Sequence, residues 1–347
     1  MFREGYLEDY RALIEAEPAL AERRDGLVLS GGAEDGAYGA GFLKGWTERG
    51  DRPEFDWVTG ISTGALIAPF AFLGPEYDDR LARLYRETTS DDIVLLAPLR
   101  VLTGASAFGD TAPLRRRLEQ EVTPELVAAI ARESRRGRVL LVGTTNIDAE
   151  RHVIWNIGAI AESGREDAPA LIRKVLLASA SIPGAFPPVT FDVVVDGERR
   201  QELHVDGGIT HQIYAYPATT PVREVERRLG ISPEKTIWVI RNTKIGPAYQ
   251  PTGLGVGAIA ARSIFTLTKY QGRGDLGVIE RLAARDGYDF RLTYVPDDFD
   301  APYEALFDTA YMRALYDVGY EAALGPEPWN DSLDEVIVQG ELEVPGL

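Results

Sequence analysis

The chain has 347 residues, and its 37 Lys and Arg against 54 Asp and Glu leave a formal net charge of −17. That balance excludes nucleic acid as the default partner, because neutralising a polyanion needs clustered Lys and Arg. It also argues against capture by anionic lipid heads, so membrane contact is expected to be at most transient and to need an apolar surface.

With 45% hydrophobic and 26% charged residues the composition is that of a folded globular protein. The chain holds no cysteine, which removes disulfides, thiolate metal sites and cysteine nucleophiles. Its three imidazoles are His152, His204 and His211, so a zinc site or a histidine triad would have to be built from them. No metal site is expected.

The first ten residues, MFREGYLEDY, carry acids where a secretory signal carries a basic start and an apolar core, and a cytoplasmic location is the expectation. Residues 7–24 predict a helix with Leu7, Tyr10, Leu13 and Ile14 on one face. Strand-like apolar runs follow at Leu27–Leu29, Phe55–Thr59, Val139–Val142, Val153–Trp155, Val193–Val195, Thr236–Ile240 and Leu292–Val295. Helical patterns lie between and after them, at Tyr38–Arg49, Ala65–Leu73, Tyr77–Arg86, Thr123–Arg135, Ala168–Ala180, Val222–Leu229 and Glu304–Ala323. The longest uncharged stretch, Trp57 to Pro75, is interrupted by Thr59, Ser62, Thr63 and Pro69, and reads as a buried strand, turn and helix and not as a membrane span. Ile245–Gly257, rich in Gly and Pro, is the expected long loop or lid. The alternation predicts an α/β fold of three α/β/α layers with a mostly parallel central sheet. A single domain over residues 1–347 is expected, with the motifs in 25–210 and a C-terminal part at 245–347.

Three blocks carry chemistry. Gly60-Ile61-Ser62-Thr63-Gly64 follows a strand and precedes a helix, the context of a nucleophile elbow, where a sharp turn exposes a serine and glycines relieve crowding. Ser106 fails the same filter, since Gly104-Ala105-Ser106-Ala107-Phe108 lacks the closing glycine and follows no apolar strand. The loop from Ser30 to Gly39, with Gly31, Gly32 and Ala33 at its start, aims backbone N–H groups into one concavity and suits an oxyanion or a phosphate. It lacks the register of either nucleotide fingerprint. His204-Val205-Asp206-Gly207-Gly208 ends an apolar strand, and an aspartate there suits proton removal from a serine hydroxyl. Each block alone also reads as an ordinary turn.

Together, in this order and spacing, the blocks resemble the patatin-like phospholipase family, with its glycine-rich oxyanion loop, Gly-X-Ser-X-Gly elbow and downstream Asp-Gly-Gly or Asp-Gly-Ala. Ala178-Ser179-Ala180-Ser181-Ile182-Pro183-Gly184-Ala185-Phe186-Pro187-Pro188 is similar to the family's stretch before the catalytic acid. The resemblance implies a patatin-like fold and a lipid acyl hydrolase of the phospholipase A or lysophospholipase type, acting without cofactor through a Ser–Asp dyad and an acyl-enzyme. Ser62 would be the nucleophile and Asp206 the base, with Gly60 and Gly64 shaping the elbow. Gly31, Gly32 and Ala33 would form the oxyanion hole.

Two departures bear on that loop. Ala33 stands where the family usually has a third glycine, at about 1 kcal/mol if φ there is positive. Glu34 and Asp35 place acids beside an anion site, so they should point away or be paired.

The alternatives are a general carboxylesterase or thioesterase, and a catalytically impaired protein that binds lipid or a partner. A Ser62, Asp148 and His204 or His211 triad is the rival mechanism. Phe70, Phe72, Leu95, Leu96, Leu99 and Phe108 are either an acyl groove or core, and Arg115–Arg117 either meets a lipid phosphate or forms a solvated face.

Overall fold

The computed structural model describes residues 11–336 except 13, 16, 94, 97–106, 108, 250, 304–305 and 335, with backbone alone at 20, 95 and 96. In chain order the elements are β1 (Arg23–Leu29), α1 (Gly36–Arg49), β2 (Trp57–Ile61), α2 (Thr63–Leu73), α3 (Asp78–Arg86), α4 (Ser90–Ile93), β3 (Leu95–Leu96), β4 (Gly109–Asp110), α5 (Ala112–Glu121) and α6 (Pro124–Arg135). Then come β5 (Val139–Asn146), β6 (Arg151–Asn156), α7 (Ile157–Glu162), α8 (Ala168–Ser179), β7 (Val189–Val195), β8 (Glu198–Asp206), α9 (Val222–Leu229), β9 (Glu234–Arg241), α10 (Val256–Asp286), β10 (Asp289–Tyr294) and α11 (Thr309–Leu324).

Eight strands form one sheet, in the order β10-β9-β1-β2-β5-β8-β7 with β6 also on β5. The ladders from β10 to β5 are parallel, and those joining β5, β6, β7 and β8 are antiparallel. Strands covered on both faces must be apolar throughout. Leu27, Val28 and Leu29 of β1 and Leu140 and Val142 of β5 are fully buried accordingly. Helices pack on the sheet, and α1 carries the largest buried side chains, Tyr38, Phe42 and Trp46. Trp46 packs edge-on against Trp329 and tilted against Trp238, with ring centroids 4.7 and 4.9 Å away, contacts that add to the burial of large apolar area.

The register on β5 has a consequence for function. β6 covers Leu141–Asn146 of β5, β2 covers Val139–Gly143, and β8 covers Thr144–Asn146. A strand has two edges, so β2 and β8 share the edge opposite β6 and meet end to end. Ile61 of β2 lies opposite Gly143 and Asp206 of β8 opposite Thr144. The residue that follows Ile61 therefore lands beside Asp206.

Several expectations are corrected. The helix expected over 7–24 is present at the described residues 11–12 and 14–15 but does not run to 24, since Pro18–Ala21 forms a short 3-10 turn and β1 starts at Arg23. The last helix begins at Thr309, where the Asp308 carboxylate caps the amides of Ala310 and Tyr311. The proposed lid ends in a 31-residue helix, α10, which the sequence reading did not contain. Glycines at 257, 272, 274 and 277 argue against a helix by propensity. Moreover, its first half is exposed while its second half packs on the sheet, so no single apolar period runs along it. Among the described residues no helix is long and apolar enough to cross a membrane, and Trp57–Leu73 forms β2, the elbow and α2.

Candidate active site

Ser62 sits between β2 and α2 with φ 54° and ψ −123°, a conformation that a residue with a β-carbon adopts only under constraint. The constraint is the tight strand-to-helix crossing. A β-carbon on Gly60 would lie 2.3 Å from the Gly64 carbonyl oxygen, and one on Gly64 would lie 2.4 Å from that of Leu29. The Ser62 amide donates to Ser179 Oγ at 3.0 Å, and that hydroxyl donates to the Gly143 carbonyl at 2.7 Å. Ser179, at the end of α8, thus pins the elbow to β5. Nothing in the sequence around Ser179 signals this role, because its partners come from distant strands.

Ser62 Oγ donates to Asp206 Oδ2 at 2.6 Å, and Asp206 Oδ1 accepts from the Gly208 amide at 2.7 Å. The Asp206 backbone amide donates to the Ser181 carbonyl at 2.9 Å. Both side chains are buried, Ser62 being 6% and Asp206 5% exposed. Burial pushes the Asp206 carboxyl up from 3.8 to about 6, against the lowering effect of the bonds from Ser62 and Gly208.

Next to this pair runs the loop after β1. Of the three amides expected to face an oxyanion, that of Gly31 is already committed, donating to the Gln212 carbonyl at 3.0 Å. The amides of Gly32 and Ala33 donate to no partner among the described residues. Ala33 has φ 49°, so the departure from glycine carries its conformational cost of about 1 kcal/mol. The two acids that follow are paired. Tyr303 donates to Glu34 Oε1 at 2.6 Å, and Tyr311 donates to Asp35 Oδ1 at 2.7 Å. Burial raises the Glu34 carboxyl and pushes Asp35 up to about 7, with the Tyr311 bond opposing it. Both acids are thereby biased toward the neutral form beside the loop.

The histidines stand elsewhere. His204 Nδ1 pairs with Thr144 Oγ1 at 2.9 Å, and its ring packs on Trp155 and Phe191. His211 Nδ1 meets Asp275 Oδ1 at 3.0 Å, and His152 Nδ1 meets Thr210 Oγ1 at 2.9 Å. Asp148 accepts from the Leu203 amide at 2.7 Å. The rival triad is not assembled, because Asp148 caps a strand amide and neither His204 nor His211 bonds Ser62. Burial also holds His152 down at about 3, neutral at any ordinary pH.

A cavity of about 80 Å³ lies against Ala33 and Thr63 and is lined by Leu66, Phe70, Leu118 and Met312 among other apolar groups. Phe70, from the set predicted as groove or core, lines it; Phe72 is core, with the Arg138 guanidinium 4.5 Å from its ring centroid. Leu95 and Leu96 form β3, while Leu99, Ser106 and Phe108 lie outside the described residues. Arg117 borders the cavity, and Arg115 and Arg116 are exposed.

A serine on a strained strand-to-helix turn at the carboxyl edge of a mostly parallel sheet, beside an apolar cavity, is the arrangement of an α/β acyl hydrolase. Residues 27–219, more than half of the chain, match the family described as patatin-like phospholipase. The chain belongs to that family, and it is a lipid acyl hydrolase. No curated protein sequence matches it. Among solved structures, VipD from Legionella pneumophila is similar at 12% identity with a TM-score of 0.40, over 87% of this chain and 67% of that one.

Proposed function

We propose that the protein hydrolyses acyl esters of phospholipids or lysophospholipids through a Ser62–Asp206 dyad and a covalent acyl-enzyme. The observation that carries this reading is the 2.6 Å bond from Ser62 Oγ to a buried aspartate with its carboxyl raised to about 6. A carboxylate with that affinity is ionised at pH 7 and is a better proton acceptor than an exposed aspartate. As Ser62 Oγ attacks the ester carbonyl, its proton passes to Asp206 Oδ2, and the carbonyl π electrons move onto oxygen. The amides of Gly32 and Ala33 receive that oxyanion, near the positive end of α2. Collapse of the tetrahedral intermediate breaks the bond to the leaving alcohol, which takes the proton from Asp206. Water then attacks the acyl-enzyme, gives its proton to Asp206 and releases the fatty acid, with the proton returned to Ser62.

The cavity beside Ala33 and Thr63 supports an acyl rather than a headgroup site, because its lining is almost wholly apolar. That favours lipid substrates over general carboxylesters. The test is hydrolysis of p-nitrophenyl esters of short and long acyl chains, followed by a phospholipid headgroup panel. Ser62→Ala is expected to abolish turnover, Asp206→Asn to lower kcat/KM by roughly 10²–10⁴-fold, and His204→Ala to leave it within about threefold. Retained activity in Asp206→Asn, or its loss in His204→Ala without unfolding, would overturn the dyad. Equal rates on short and long chains would sink the lipid preference.

A further inference from the structure

The first half of α10 and the residues leading into it contradict the charge of the rest of the chain. Residues 245–274 contain no Asp or Glu and hold three cations, Arg262, Lys269 and Arg273, in a protein with 54 acids among 347 residues. The same segment exposes large apolar side chains. Leu254, Val256, Ile264, Phe265, Leu267 and Tyr270 are all at least 58% exposed. At 100° per residue, Val256, Ile259, Ala260, Ile264, Leu267 and Tyr270 fall on one outward face. The cations sit on another side: Arg262 and Lys269 reach back to the carbonyls of Ala248 and Gly246, and the Arg273 guanidinium lies 5.3 Å from the Tyr270 ring centroid. The result is an amphipathic helix with an uncovered apolar face and a basic flank.

We propose that this half of α10 docks the protein onto a lipid bilayer surface. A helix of this pattern lies in the interfacial plane, with its apolar face among the acyl chains and Lys and Arg reaching the headgroup phosphates. Charge selects this occupant over a second copy of the chain, since two copies bring −17 against −17. This acid-free surface lets so acidic a protein approach anionic headgroups with less repulsion. Tyr270 adds an aromatic group suited to the headgroup boundary.

The placement ties docking to the site. The next turns of α10 are bonded to the loop after Asp206: Gln271 donates to the Thr210 carbonyl, and Asp275 accepts from the Gln212 amide at 2.8 Å and meets His211. The Gln212 carbonyl in turn accepts the Gly31 amide. A bilayer seated on α10 therefore lies beside the edge of the sheet that carries Ser62 and Asp206.

The test is sedimentation of the full chain with vesicles of phosphatidylcholine mixed with phosphatidylglycerol, done in a Ser62→Ala background so that the readout is independent of hydrolysis. The protein is expected to sediment with the vesicles. The combined variant Ile264→Ser, Leu267→Ser and Tyr270→Ser should bind at least roughly tenfold more weakly, since several partly inserted apolar side chains are lost. Leu254→Ser with Val256→Ser, at the start of the helix and in open solvent, provides a second variant should the first unfold. Absence of vesicle binding by the unsubstituted helix, or equal binding by a folded variant, would overturn the proposal. So would a self-associated species that the substitutions convert to monomer, which would make the face an interface between copies.

Discussion

Asp206 and Asp35 set the pH behaviour expected of the site. Asp206 must be ionised to take the Ser62 proton, so kcat/KM should rise with pH through about 6. Asp35, two residues beyond Ala33, ionises near 7 and then places negative charge beside the amides proposed to receive the oxyanion. The rate on a short-chain ester should therefore fall again on the alkaline side. Asp35→Asn keeps an acceptor for Tyr311 and removes the charge, so its profile should retain the acid limb and lose the alkaline one; an unchanged alkaline limb would show that Asp35 does not act on the oxyanion. For stability the sign is opposite to that of an ordinary ion-paired carboxylate. The folded Asp206 carboxyl is raised above 3.8, so the native state holds the proton longer than the unfolded chain. Its contribution is full below about pH 4 and is lost as pH rises through about 6. Asp206→Asn is thus expected to be strongly impaired yet more stable at pH 7, on the order of 2 kcal/mol, and no more stable at pH 4; thermal unfolding at the two pH values checks this.

At the scale of elements, α2 and α5 wall the cavity, and under the proposed function they select the acyl chain. Leu66→Trp, on α2, should fill the end of the cavity. Long-chain esters should then lose kcat/KM by about fourfold for each methylene that no longer enters, about 0.8 kcal/mol apiece, while short-chain esters keep theirs. The framework behind that wall rests on a buried ion pair. Arg52 bonds Asp78 at 2.8 Å with both side chains 2% exposed, and its other nitrogen donates to the Ala71 carbonyl at the end of α2. It joins α1, α2 and α3, since Thr47 also donates to Asp78. Asp78→Ala leaves the Arg52 charge buried and unpaired and should cost about 3–5 kcal/mol, measurable by urea unfolding. α10 shows what element prediction could not reach: its glycines lower helix propensity, and its first half is largely exposed, so packing imposes no single period along it.

Across the whole molecule, the motifs end near residue 210 but the sheet does not. β9 pairs with all seven residues of β1, and β10 pairs with β9. Met312, Leu315 and Tyr316 of α11 are buried in the same core cluster as Phe42 and Trp46 of α1. Tyr311 of the same helix holds Asp35. A chain cut after residue 219 keeps every motif and the whole family match, yet strips one edge of β1 and uncovers α1. It is expected to aggregate, as exposed strand edges and apolar faces do, and size-exclusion chromatography with circular dichroism would show whether it does. A soluble, cooperatively folded fragment would mean that the C-terminal third is an addition and not part of the core.

The local pieces were legible because each rests on short-range chemistry. Gly60-Ile61-Ser62-Thr63-Gly64 announces a strained turn through its glycines and its flanking apolar runs. Gly31-Gly32-Ala33 announces free amides, and strand and helix alternation announces an α/β sheet. The tertiary structure alone decided which pieces meet. Ser62 and Asp206 are 144 positions apart, and nothing in their neighbourhoods states that β2 and β8 end against each other on β5. The Gly31 amide was lost to Gln212, and the flanking acids found Tyr303 and Tyr311, partners set by the packing of distant segments. The apolar face of α10 has the same origin: composition records a net charge, but the fold places the acid-free first half of this helix in the open.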